Sequence, residues 1–339
     1  MQIAGNSHIL PVHSPVPIVE IEGGSLWTDS ELNQYVFNKS GKVLRDLCTC
    51  VNPERANDFN AGSSIFIPPS ILGLHDLPEE PNMPYFRGRI VNLTCFNVAA
   101  ISYGHWLTDV LPRLALYLKQ YKLNDIDYFY FPSVDWPWQQ ETLELLGINS
   151  EKILSEVNVK SFTCDILVTT PFPRPEWDVP AWIPDALKSL FGAQASVCPL
   201  PHRRFYATRK DAKWRKVLNE DDLVKALSSV GFEILTLADF TLAEKIRLFS
   251  ETAAVISMHG SSLGNTLFCR NGGGVLEMFG PGQISPLHRQ IAECIPLKYK
   301  AIHLSGITSP ESDFLEAAFC DVTVDIDRIL VSARQHFQL

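Results

Sequence analysis

The stretch 253–281, AAVISMHGSSLGNTLFCRNGGGVLEMFGP, decides the fold class. An apolar run from Ala253 to Met258 ends at His259-Gly260-Ser261-Ser262. A short apolar segment, Leu263 to Cys269, leads to Gly272-Gly273-Gly274 and a second apolar run, Val275 to Phe279, which carries Glu277. Unbroken apolar runs of this length mark strands buried on both faces, the habit of parallel sheets. Small residues after such a strand let backbone N–H groups approach an anion at a helix N-terminus. A carboxylate on the next strand suits ribose hydroxyls, which assigns Glu277 to the ribose unless it is simply a satisfied strand-end carboxylate. The layout predicts a nucleotide-diphosphate site at the carboxyl end of a parallel sheet.

Upstream, the pattern stays regular back to Arg203. Strand 205–208 precedes a helix at 219–230 stopped by Gly231, and strand 232–237 precedes a helix at 241–251. Strands alternating with helices of about 10 residues predict βαβ units. Between Thr170 and Pro201 lie seven prolines, which read as a linker or interdomain wall with one short helix at 183–191. The first half shows short strands and turns over 16–100, with strands at Ile65–Ile67 and Arg89–Leu93. A helical stretch from Tyr103 to Tyr121, a strand at 128–131, a helix at 138–146 and short strands to Thr169 follow. Two open α/β domains joined by such a segment place a ligand cleft between them.

Composition removes several functions. A net charge of −9 argues against nucleic-acid binding, which needs a basic footprint. No apolar run approaches the roughly 18 residues that cross a bilayer, and MQIAGNSHILPVHS lacks the pattern of a signal peptide. The eight cysteines are scattered, several in apolar runs, as for reduced thiols in a cytoplasmic protein.

Two further segments carry chemistry. In Tyr103-Gly104-His105-Trp106-Leu107-Thr108-Asp109-Val110-Leu111-Pro112-Arg113, helical spacing puts His105, Asp109 and Arg113 on one face. They are an acid–base patch or a plain surface ion pair. Arg209 and Lys210 follow strand 205–208, where Arg pairs well with phosphate oxygens. The competing reading is a solvated turn, since Lys213, Arg215 and Lys216 come next.

Taken together, Tyr103-x-His105-Trp106-Leu107-x-Asp109-x-Leu111-Pro112-Arg113, Tyr206-x-Thr208-Arg209-Lys210 and His259-Gly260-x-x-Leu263-x-Asn265 resemble glycosyltransferase family 61, whose bacterial members are labelled capsular polysaccharide biosynthesis proteins. The similarity runs from about residue 100 to 282. Two positions depart from the family pattern: Ser261-Ser262 replace Ala-Gly, and Gly264 replaces Thr, all small residues that preserve backbone access. The resemblance implies an α/β protein of GT-B type, two Rossmann-type domains facing a central cleft. Residues 1–170 would form the acceptor-side domain, 171–202 the linker, 203–320 the nucleotide-sugar domain, and 321–339 a helix packing back on the N-terminal domain. It further implies inverting, metal-independent transfer of a hexosyl or pentosyl group from a nucleotide-diphosphate sugar, with UDP expected, to a hydroxyl of a surface polysaccharide or related glycan.

Such a displacement needs a base for the acceptor hydroxyl and a cation or dipole for the departing diphosphate. Asp109 is the candidate base, with His105 as runner-up or orienting partner. Arg209, His259 and the backbone of Gly260, Ser261, Ser262 and Leu263 would hold the diphosphate, with Lys210 in a lesser role. No cofactor or metal is expected: Asp125-Ile126-Asp127 and Asp325-Ile326-Asp327 are in the wrong context for a metal-binding Asp-x-Asp. Trp136, Trp138, Trp177 and Trp182 would stack on sugars or pack a hinge. A lipid-linked acceptor would add peripheral contact with the inner membrane face; the oligomeric state is open.

Three alternatives remain. Gly260-Ser261-Ser262-Leu263-Gly264 matches a nucleophile elbow, with Ser262, Asp321 or Asp325, and His336 as a hydrolase triad. A polysaccharide pyruvyl transferase and a non-catalytic transferase-like scaffold share the two-domain build.

Overall fold

A computed structural model describes residues 7–9, 15–31, 33–50, 76–78, 83–94, 102–174, 178–195, 200–281, 285–305 and 320–339. The strand expected at Ile65–Ile67 and Trp177 lie outside them. The chain divides into two compact units, Met1–Leu190 and Phe191–Leu339.

The first unit is built on an eight-stranded mixed sheet. Its strands are β1 (Ser7–Ile9), β2 (Val19–Glu22), β3 (Ser25–Thr28), β4 (Gln34–Phe37), β5 (Tyr85–Asn92), β6 (Tyr128–Phe131), β7 (Ile153–Ser155) and β8 (Ser161–Thr169). Strands β8, β5, β6 and β7 run parallel in that order, while β2 and β3 add antiparallel to β8. The parallel half thus carries an antiparallel edge, as many α/β sheets do. Gly23 and Gly24 make that edge, because β2 ends there and β3 starts one residue later against the same strand. Gly23 takes φ +59°, and a Cβ on Gly24 would sit 2.8 Å from Leu167 Cβ.

The helical stretch from Tyr103 is not one α-helix. A single turn, α1 (Tyr103–His105), passes into a π-helical turn (Trp106–Val110) and then α2 (Leu111–Leu118). Pro112 falls in the first turn of α2, where its missing N–H costs little. Trp106 is buried and stacks on Phe131 of β6, which seats the π turn on the sheet. Helices α3 (Pro137–Leu145) and α4 (Trp182–Phe191) complete the unit.

The second unit follows the sequence reading closely. Strands β9 (Arg203–Ala207), β10 (Glu233–Leu235), β11 (Thr252–Met258), β12 (Gly274–Phe279) and β13 (Lys298–His303) form a wholly parallel sheet ordered β10-β9-β11-β12-β13. Every residue of β12 is buried, as the unbroken apolar run required. Helix α5 (Glu220–Ser229) ends before Gly231, at φ +85°, and α6 (Leu242–Ser250) opens with a Thr241/Glu244 capping box. Helix α7 (Leu287–Cys294) connects β12 to β13. The last helix, α8 (Ile326–Phe337), was expected on the N-terminal domain, but it puts Ile329 and Ala333 into this unit's own core. A Cβ on Gly274 would meet its Phe337 ring at 2.7 Å. The strand order reverses between β9 and β11, the switch point where open parallel sheets bind ligands.

Candidate active site

The first cluster is centred on Asp109 in the π turn. Its carboxylate is fully buried and both oxygens are committed. Arg174 donates Nε to Oδ1 at 2.6 Å and Nη2 to Oδ2 at 3.0 Å, a two-pronged pair that is itself buried. His105 Nδ1 lies 2.6 Å from Oδ2, with its side chain 21% exposed. Burial alone would push the Asp109 carboxyl up, but Arg174 and His105 outweigh it and hold the group down at about 2. Asp109 is thus a fixed anion, and the imidazole is the member of the pair that reaches solvent.

Arg113 does not join them. Its guanidinium donates to Thr94 O, to Thr170 Oγ1 at 3.0 Å and to Thr169 Oγ1 at 3.3 Å, bracing the end of β8. The wider π turn breaks the four-residue register that put Asp109 and Arg113 on one face. Arg174 supplies the cation instead, from the proline-rich segment, 65 residues away in sequence. Nothing in that segment distinguishes it as a charge partner.

The second cluster gathers at the β9/β11 switch point. Arg209 follows β9, and a Cβ on Gly260 would fall 2.2 Å from its Nη1. Gly260 has extended backbone at φ 172°, so close approach of the guanidinium, not conformation, requires glycine there. Arg209 donates Nη2 to Trp214 O at 3.1 Å, and its Nε is buried with no hydrogen-bond partner. Burial depresses the Arg209 pKa, and Arg215 falls to about 10 through burial and the charge of Arg209 beside it. Arg215 Nη1 donates to His259 O at 2.8 Å. The basic run after Arg209, legible as a solvated turn, thus half-buries one arginine against the site. Lys210 turns outward instead, its Nζ 3.0 Å from Asp221 on α5, both exposed.

Glu277 is fully buried and both its oxygens already accept hydrogen bonds within the protein. Its Oε1 accepts from His259 Nδ1 at 2.5 Å and His288 Nδ1 at 2.6 Å, and its Oε2 from Tyr299 OH at 2.6 Å. Burial opposes the charge, yet the two imidazoles keep the carboxyl far below the usual range. The same donors are of metal-ligand type and lie within 4.8 Å of one another. Two ligand atoms on one tetrahedral zinc stand about 3.3 Å apart, so contacts of 2.5 and 2.6 Å are those of shared protons. His288 on α7 and Tyr299 on β13 lie 11 and 22 residues beyond Glu277 and carry no motif.

Residues Ser261–Phe268 form a 3₁₀ helix, and Leu263 spends its N–H on Gly260 O at 3.0 Å, so it offers no free donor. Ser261 is exposed and Ser262 half-buried, which leaves both facing outward. The hydrolase reading fails on placement. His336 Nε2 meets Val275 O and Lys298 O at the amino ends of β12 and β13, whereas Ser262 follows the carboxyl end of β11. Asp321 accepts from Lys216 N and Asp325 caps α8. In the other Asp-x-Asp triplet, Asp125 accepts from Lys122 N and Asp127 from Arg89 N. Trp138 packs edge-on against Trp106 and Tyr103, and Trp136 is exposed.

The sequence model of glycosyltransferase 61 matches residues 103–276, just over half of the chain; it covers the Asp109 cluster, Arg209, Arg215 and His259, and stops one residue short of Glu277. The chain belongs to glycosyltransferase family 61. Among its relatives is protein O-linked-mannose β-1,4-N-acetylglucosaminyltransferase 2. The human protein is 40% identical over 78 residues, 22% of this chain and 13% of the relative. The mouse protein is 37% identical over the same shares. The matching stretch thus spans about one-eighth of the length of these relatives. Within the family-61 region, Arg209, His259 and Gly260 come together, His105 meets Asp109, and Lys210 stands apart. Among the described residues, no helix is long and apolar enough to cross a membrane.

Proposed function

We propose that this chain is an inverting glycosyltransferase of GT-B type that moves a sugar from a nucleoside diphosphate to a glycan hydroxyl. The observation that carries the reading is the guanidinium of Arg209 packed on the Gly260 backbone at the switch point, its Nε buried and unpartnered. A half-buried guanidinium with no carboxylate in hydrogen-bond contact among the described residues suits phosphate oxygens. Arg215 adds a second positive charge, so the departing diphosphate meets fixed protein cations.

In the other unit, His105 serves as the base and Asp109 as its positioning residue, the reverse of the order in which sequence ranks them. A carboxylate held at about 2 and closed off by Arg174 is too weak and too buried to take a proton from an alcohol. With Nδ1 bound to Asp109, the imidazole takes the hydroxyl proton at Nε2. The acceptor oxygen then bonds to the anomeric carbon, the carbon–phosphate oxygen bond breaks, and the nucleoside diphosphate leaves with the electron pair. UDP is the expected nucleotide, and N-acetylglucosamine is the first sugar to try because the relatives' name gives it. A surface polysaccharide or lipid-linked glycan is the acceptor class, in a cytoplasmic setting.

The test is thermal unfolding against a panel of nucleotides and UDP-sugars, with EDTA and with Mg²⁺. A ligand at 100 times its Kd stabilises the native state by about 2.7 kcal/mol. Selective stabilisation by UDP in EDTA is the expected result. No response to any nucleotide, with a shift by phosphoenolpyruvate, would replace the reading with pyruvyl transfer.

A further inference from the structure

We infer that a nucleoside diphosphate binding to the second unit is accompanied by uptake of one proton at His259, with Glu277 as the residue that positions the ring for it. The inference deepens the donor reading above and rests on it. Glu277 is a buried anion, so the 2.5 Å contact from His259 puts a proton on Nδ1. A singly protonated ring held that way presents a lone pair at Nε2. A lone pair repels a phosphate oxygen, whereas an N–H donates to it. His259 can serve a ligand only in its doubly protonated form.

The surroundings keep the ring neutral until then. Burial lowers the His259 pKa, and His288 from α7 and Arg215 from the segment after β9 push the same way, against the pull of Glu277 on β12. Tyr299 of β13 already shares the Glu277 charge, and His303 of β13 stacks on the Phe279 ring that also stacks on His259. Arg209 adds its charge at Gly260, the next residue. Of the four members of the hydrogen-bonded network, Glu277 and His288 are sealed and Tyr299 already carries the proton it donates to Glu277, while the His259 side chain is 14% exposed. The proton therefore enters at His259. Two negative phosphates brought beside it reverse the balance of charge, and the proton moves from solvent to Nε2 as the ligand arrives. The diphosphate leaving group thus departs against a cation that exists only while it is bound.

Calorimetry of UDP binding in EDTA tests this. Titrations near pH 8, about two units above the second ionisation of a terminal phosphate, are run in buffers of low and high ionisation enthalpy. The dependence of the observed heat on buffer enthalpy counts the protons exchanged. About one proton taken up by the native protein, and none by His259→Gln binding UDP about tenfold more weakly, is the expected result. UDP binding without proton uptake in the native protein would overturn the inference and leave the donor reading standing. Uptake that persists in His259→Gln would remove His259 from it. Failure of every nucleoside diphosphate to bind would remove the donor reading and this inference together.

Discussion

Each unit buries a carboxylate against imidazole Nδ1, from one ring at Asp109 and from two at Glu277, and the two are balanced in different ways. Asp109 is neutralised by the guanidinium of Arg174, a permanent cation. Glu277 is held by His259, His288 and Tyr299, groups that donate without carrying permanent charge. On the reading proposed above, His105 is the base in the first cluster, while in the second His259 gains a further positive charge when a phosphate ligand binds.

The largest expected effect is on turnover. His105→Ala should lower kcat by about 10²- to 10⁴-fold while UDP affinity stays within about twofold. Asp109→Asn should cost a comparable factor, and the double variant little more, because the two act as one unit. Full turnover in His105→Ala would end its role as base and break the comparison at once.

Next comes stability. Removing the permanent cation with Arg174→Met leaves a buried unpaired anion and should cost about 3–5 kcal/mol in urea unfolding. His288→Gln, which takes one of three donors from Glu277, should cost only about 1–3 kcal/mol. Equal losses would mean that the two carboxylates are balanced alike.

Glu156 is a buried carboxylate whose hydrogen bonds come from neutral side chains, with the charge of Lys160 acting only from beyond hydrogen-bond range. It accepts from Thr28 Oγ1 at 2.8 Å, and burial pushes its pKa up to about 7 from 4.5. Between those values the unfolded chain has lost a proton that the folded chain keeps, so stability falls as pH rises through that window and is level above it. The loss is roughly 3 kcal/mol at most. Glu156→Gln should match the native protein near pH 4.5 and exceed it near pH 8, by unfolding at the two pH values. Identical stabilities near pH 8 would show that the buried carboxylate costs nothing.

The smallest effect concerns the donor. Arg209→Ala should weaken UDP binding by roughly tenfold to a hundredfold, the worth of a charged hydrogen bond. Lys210→Ala, exposed and paired with Asp221, should change it by less than about twofold. Calorimetric titration separates the two, and an unchanged affinity for Arg209→Ala would take the guanidinium out of the phosphate site.

Strand β12 and the Gly231 stop were readable because burial on both faces and a left-handed backbone each leave a local mark in composition. The antiparallel edge on β8 was not, since pairing partners lie well over 100 residues apart and either strand direction satisfies an apolar run. In the site, His105 with Asp109 was legible from four-residue spacing, whereas Arg113 was misplaced because a π turn leaves no signal in residue type. Arg215 was hidden among neighbouring basic residues, and Arg174 among prolines.

The sequence by itself determined the parallel second sheet, its glycine-lined switch point, and the family that its three ordered motifs mark out. Those features rest on periodicity and on residues adjacent in the chain. Only the tertiary structure decided which acid stays charged, which histidine meets solvent, and which arginine buries an Nε with no hydrogen-bond partner among the described residues. Each of those depends on burial and on partners brought from distant segments, and charge in a folded protein is set by what surrounds a group rather than by its name.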